Sequence, residues 1–216
     1  MTQVEPGGSP ADELPLGRLE AFSDGVFAIA ITLLVLELSV SAGAADDLLQ
    51  GILDEWPAYL AYVTSFLTIG AIWIGHSTMT GALRAADAVL YRLNLIVLLI
   101  ASFLPFPTKL MSEFVAEPDA ERVAAVFYGV VLLALSLSLT AFARYAFEQR
   151  RLVKDRIDNA TVEAVVRRGP SYLGYVVAIG VAWFFPFVAL FMYLAIALYL
   201  TVPGRTIHRL LTLGRT

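Results

Sequence analysis

Residues 18–38 read Arg18-Leu19-Glu20-Ala21-Phe22-Ser23-Asp24-Gly25-Val26-Phe27-Ala28-Ile29-Ala30-Ile31-Thr32-Leu33-Leu34-Val35-Leu36-Glu37-Leu38. A charged opening runs without a break into an apolar stretch, and together they give a first membrane span over about 18–40. Crossing a ~30 Å hydrocarbon core takes ~20 residues of helix. With a helix beginning near Leu16, Asp24 lies about two turns inside it, where the helix N-terminus no longer helps a carboxylate much. A charge at the centre of a membrane helix costs roughly 2.5–3.5 kcal/mol on insertion scales, so Asp24 needs a partner or a task.

Neither comes from its own helix. Arg18 is six residues away, about 120° around, and Glu20, four residues before Asp24, repels it. The partner must come from another helix. Trp73 and His76 share one face of the second span, and Asn94 lies near the start of the third. Alternating span direction places His76, late in the second, and Asn94, early in the third, at the depth of Asp24. Two readings of this group are open: a structural polar cluster, or a titrating site on a proton or cation path.

Composition supports the membrane assignment. Of 216 residues, 58% are hydrophobic and 16% charged, against about 45–50% and 25% in soluble domains. Apolar runs place further spans over about 57–80, 88–106 and 122–147. Pro105 and Pro107 are expected to close the third, since neither ring sustains the helical hydrogen-bond ladder. Residues 171–202 suit two short helices, about 171–185 and 187–204, split at Pro186. Between the fourth and fifth spans, Val153, Ile157, Ala160 and Ala164 recur at helical spacing and predict an amphipathic or extended helix within Glu148–Gly169.

Charge orients the chain. With a cytoplasmic N-terminus and six spans, thirteen of the fifteen Lys and Arg residues lie inside, and only Lys109 and Arg122 outside. The expectation is an all-α integral membrane protein with six transmembrane helices and both termini cytoplasmic. Residues 1–17 read as a disordered tail without the basic region of a signal peptide, 18–204 as the six-span domain and 205–216 as a basic cytoplasmic tail. A bacterial cell membrane is the expected location.

Several chemistries are excluded. There are no cysteines and two histidines, His76 and His208, so no transition-metal cage assembles and no metal is expected. Phosphate-loop, metalloprotease and nucleophile-elbow motifs are missing, as is the Thr-Val-Gly-Tyr-Gly filter, so an enzyme is not expected. Acidic residues interleave the basic ones of 148–169 and suggest a solvated surface, with no nucleic-acid partner. In the first span Ile29, Leu33 and Leu36 lie along one face, Thr32 at its edge, with Glu37 at the outer end. Such a stripe suits packing or lipid contact, and Glu37 suits a cation pore mouth.

Arg18, Phe22, Ser23 and Asp24 at the head of an apolar first helix resemble the signature of the transmembrane protein 175 family of endolysosomal and bacterial potassium channels. Trp73-x-x-His76, Asp87, Asn94 and Pro105-Phe106-Pro107 are similar to that family's pattern over about residues 18–110. The resemblance implies a homotetramer whose first helices line a central cation pathway without a carbonyl filter. Its constriction residues map onto Ile29, Leu33 and Leu36, and a threonine layer linked to selectivity maps onto Thr32. The motif residues would hold the helices together from behind the pore. Membrane lipid and permeant potassium are the expected partners, with no cofactor. The alternative is a proton-coupled transporter or proton pathway using Asp24 and His76. Ile31 and Leu34 are expected to face lipid.

Overall fold

A computed structural model of the chain describes residues 15–39, 47–114, 120–155, 157 and 171–201. The helices are α1 (Leu16–Leu33), α2 (Leu48–Asp54), α3 (Trp56–Gly81), α4 (Ala88–Phe103), α5 (Pro105–Phe114), α6 (Ala120–Glu148), α7 (Ser171–Ala182) and α8 (Pro186–Thr201). Four stretches are long and apolar enough to cross a membrane: 16–37, 56–81, 88–114 and 120–148. The shorter apolar helices α7 and α8 separate at Pro186. At ~1.5 Å per residue they are about 18 Å and 24 Å long, each short of the ~30 Å core.

α3 and α6 form the centre. α3 packs on α5 and α8, and α6 packs on α4, α5 and α7. α1 lies at one side, against α3 and α4. Small residues allow these close approaches. At Gly129 an added Cβ would collide with the Tyr193 hydroxyl and stand 2.7 Å from Ile179 Cγ1, so glycine is what lets α7 and α8 seat on α6. Hydroxyls are paired inside the bundle: Ser65 Oγ lies 2.7 Å from both Thr108 Oγ1 and the Tyr128 hydroxyl. Buried polar groups without water must find such partners.

Three sequence expectations are corrected. Pro105 does not close the third span: the helix breaks at Leu104 and restarts at once as α5. Pro105 takes the first helical position, where an N–H would have no intrahelical acceptor in any case. The segment after α6 does not begin as a helix with period-four packing. It forms a 3-10 turn, Arg150–Leu152, and Val153 then bridges antiparallel to Leu83. There Arg84 N donates to Leu152 O (2.8 Å), Lys154 N to Ala82 O (3.0 Å) and Lys154 Nζ to Gly81 O (2.7 Å). The two Lys154 bonds supply donors to carbonyls at the end of α3, which have no partner within the helix. Ala160 and Ala164 lie outside the described residues, as do most of both termini. Leu34, expected to face lipid, is completely buried, packed within the core that α1 shares with its neighbours.

Asp87 anchors the same clasp. Its carboxylate caps α4 by accepting from Leu90 N (2.9 Å), and it accepts from the Tyr145 hydroxyl (2.8 Å) and Arg151 Nη2 (2.7 Å). One buried acid thereby ties the α3–α4 turn to the end of α6.

Candidate functional site

α1 carries two distinct stripes. Leu19, Ser23, Phe27 and Ala30 are buried on the helix that packs against α3 and α4, and Leu34 is buried in the turn that follows, which packs on α3 and α5. Arg18, Phe22, Gly25, Ile29, Thr32 and Leu36, spaced alternately by four and three, are exposed. Helical periodicity alone generates this division, because steps of three and four keep residues on one face.

The buried stripe meets a polar centre. Asn94, 2% exposed, donates from Nδ2 to Ser23 Oγ at 2.9 Å and accepts at Oδ1 from His76 Nε2 at 2.7 Å. An amide oxygen can only accept, so His76 carries its proton on Nε2 in this arrangement. Ser23 Oγ also lies 2.7 Å from Leu19 O and donates to it. The His76 ring packs edge-on to Phe27 (5.6 Å between centroids) and against Phe142 (5.1 Å). Side chains of α1, α3 and α4 thus converge on one satisfied cluster. Asp24 stands beside it, accepting a hydrogen bond from Trp73 Nε1 at 2.8 Å. Asp24 and Trp73 are both exposed in the single chain. Arg18 and Phe22 do not join: both are exposed, and Arg18 makes no hydrogen bond or ion pair among the described residues.

The exposed stripe has a different geometry. Ile29 is 61% exposed, Leu33 40% and Leu36 72%. Beyond Leu33 the helix tightens into a 3-10 turn, Leu34–Glu37. At three residues per turn, Leu36 comes to stand directly beyond Leu33, about 6 Å further along the axis. Ile29 lies about 6 Å before Leu33, so the three side chains are evenly spaced. The Thr32 hydroxyl donates to Ile29 O at 2.9 Å. Its hydrogen is committed to the backbone, which leaves oxygen lone pairs facing outward as acceptors.

Glu37 closes the stripe. It is 24% exposed, its Oε2 is 4.0 Å from Lys109 Nζ on α5, and Lys109 also lies 3.8 Å from Glu113 Oε1. Glu37, Ser39, Glu55, Ala58, Ser112 and Glu113 line a cavity of about 250 Å³. Among the described residues no group of three or more His, Asp and Glu side chains is placed to hold a metal ion.

Residues 18–105, which carry both stripes, match the family model described as the endosomal/lysosomal potassium channel TMEM175. A protein named as a potassium channel in Streptomyces collinus is 38% identical over 169 residues, spanning 77% of this chain and 82% of that relative. The chain belongs to the TMEM175 family of ion channels. It is accordingly a multi-pass membrane protein and not an enzyme. The TMEM175 fold extends beyond the matched segment: a solved homologue of the lysosomal potassium-selective channel TMEM175, from Chamaesiphon minutus, superposes with a TM-score of 0.77 at 32% identity. That likeness covers 86% of this chain and 95% of the other. In Gallus gallus, a protein named as the endosomal/lysosomal proton channel TMEM175 is 34% identical over 131 residues, 56% of this chain and 26% of that relative.

Two arrangements were missed in the sequence, each with a signal. Asp87, three residues before Leu90, is the pattern of a helix N-cap. Lys109 is one of only two basic residues on the expected outer side, in a setting of acids.

Proposed function

We propose that the chain forms a potassium-preferring cation channel, as a homotetramer in a bacterial cell membrane with α1 of each subunit lining the pathway. One observation carries this reading: α1 leaves uncovered a face that combines apolar side chains with Arg18, Thr32 and, at its edge, Asp24. Lipid is a poor environment for such a face, because intramembrane charges and hydroxyls need partners or water. A second copy of the chain, or a water column, supplies them. One helix cannot enclose a pathway, whereas symmetric copies can.

In this arrangement Ile29, Leu33 and Leu36 form stacked apolar rings that exclude water, and a dewetted ring blocks ions without a moving plug. Thr32 oxygens, with their hydrogens held by Ile29 carbonyls, present only lone pairs and replace part of the hydration shell of a cation. Contacts that weak give a modest preference for potassium. The Ser23–Asn94–His76 cluster stands behind the pore and fixes α1 to α3 and α4, while Asp24, Phe22 and Arg18 are left for contacts between subunits. The segments before α1 and after residue 204 are cytoplasmic tails outside the conducting domain, and no cofactor takes part.

The test is flux in liposomes under opposing potassium and sodium gradients. Ile29→Asn is expected to raise cation flux several-fold by wetting the constriction, and Thr32→Ala to lower the potassium preference with assembly intact. Both variants behaving as wild type in well-formed tetramers would refute an α1-lined pathway. A second reading, a proton pathway through Asp24 and His76, is favoured by the proton-channel name of the Gallus gallus relative. Proton flux that Asp24→Asn and His76→Gln abolish, with potassium flux absent throughout, would establish it instead.

A further inference from the structure

We propose that Lys109 determines permeation: it holds the Glu37 carboxylate at the end of the exposed stripe and sets how much of that charge an entering cation meets. The inference rests on the α1-lined pathway proposed above. Glu37 is the last residue of the 3-10 turn, one residue past Leu36. Its carboxylate points toward α5, with Lys109 Nζ at 4.0 Å, and is less exposed (24%) than the lysine (49%). Lys109 is divided between Glu37 and Glu113, and Glu55 from the start of α3 lines the same cavity. One lysine therefore stands against two carboxylates, and a third lines the adjoining cavity. The other basic residue near this end, Arg122, lies over the Trp183 ring at 5.5 Å and is not among this cavity's lining residues.

A half-exposed pair at this separation is weak and salt-sensitive. Mobile cations compete with Lys109 for Glu37, and a fixed positive charge at the mouth lowers the local concentration of cations. Neutralising Lys109 in four copies frees four Glu37 carboxylates, whose charge the lysine otherwise holds away from an entering cation. With charges on the order of 10 Å from the entrance, the local cation concentration rises about two- to threefold at ~0.1 M salt, where the Debye length is ~10 Å. At ~1 M the screening length is ~3 Å and the change falls below about 1.2-fold.

The experiment measures single-channel potassium conductance of the full chain in planar bilayers at ~0.1 M and ~1 M potassium chloride. Wild type is compared with Lys109→Gln, Lys109→Met, Lys109→Arg, Glu37→Gln and the double variant Lys109→Gln/Glu37→Gln. The two neutral lysine variants are expected to raise conductance about two- to threefold at low salt and hardly at all at high salt. Lys109→Arg keeps the wild-type value, and the Lys109→Gln effect shrinks in the Glu37→Gln background. An unchanged low-salt conductance in both neutral variants overturns the inference. So does an equal rise with Glu37 already neutralised, which would make Lys109 a general surface charge. Ile29→Asn in the same membranes separates the two levels. If it raises current while Lys109→Gln does not, only this inference fails; if neither acts, the α1-lined pathway fails.

Discussion

Replacing Asn94 by Ala tests the centre of the subunit. Its carboxamide makes two contacts between helices, at 2.9 Å to Ser23 and 2.7 Å to His76, and is 2% exposed. The two losses differ. Ser23 keeps its bond to Leu19 O, so on that side the cost is a net hydrogen bond, about 0.5–1.5 kcal/mol. His76 is 1% exposed, and its Nε2–H keeps no other hydrogen bond among the described residues. An abandoned buried donor costs about 1–3 kcal/mol. The sum is about 1.5–4.5 kcal/mol before any cavity is counted, above the ~0.6 kcal/mol average for hydrogen bonds between membrane helices. The assay is thermal or denaturant unfolding in mild detergent, followed by circular dichroism and size-exclusion chromatography. Asn94→Ala/His76→Phe is the informative partner, because it removes the stranded donor and should recover at least about 1 kcal/mol of the loss. Asn94→Ala costing under about 0.5 kcal/mol, or a double variant no better than the single, would refute the reasoning that the cluster joins α1 to α3 and α4 by mutual satisfaction.

Asp87→Ala is expected to destabilise the folded chain by about 3 kcal/mol, the lower end for breaking a buried ion pair because Arg151 keeps some access to water. Asp87→Asn, which retains an acceptor for the cap on Leu90, should cost clearly less; unfolding midpoints of the two variants check this order. The orientation of the chain follows from its charge: with the N-terminus cytoplasmic, a single cysteine at Asp47 is labelled in intact cells by an impermeant reagent and one at Arg156 is not. Labelling of the Arg156 site alone would invert the topology.

The long apolar runs were legible in the sequence because a membrane demands ~20 consecutive residues of helix and tolerates few charges. Local breaks were harder. Pro105 reads as a stop, and only the resumption of hydrogen bonding, Thr108 N to Leu104 O at 3.2 Å, shows it as a start. α2 escaped notice although Asp47 accepts from Gln50 N at 3.0 Å in the manner of a cap, since seven residues are too few for a periodic signal. Val153 and Ile157 have helical spacing and are buried, but Val153 is held in a bridge to Leu83, a long-range contact that spacing does not encode. Within the site, common depth brought His76 and Asn94 to Ser23. Motif proximity groups Arg18 with them, yet it lies on the exposed stripe.

The two stripes of α1 also revise what an Asp24 substitution means. A cost of ~3–5 kcal/mol applies to a buried charge stripped of its partner, and Asp24 is exposed in the isolated subunit with one bond to an exposed Trp73. Folding of the single chain therefore depends on Ser23, one residue earlier and about 100° around the helix, far more than on Asp24. On the proposed tetrameric reading, Asp24 becomes enclosed only when a neighbouring copy packs over it, so its contribution moves from folding to assembly. Leu34 and Leu36 divide in the same way: one is entirely buried within the subunit, the other 72% exposed. On that same reading the helix keeps its packing residues and its proposed pore-lining residues on separate faces, so a substitution on one face changes permeation without passing through the stability of the other.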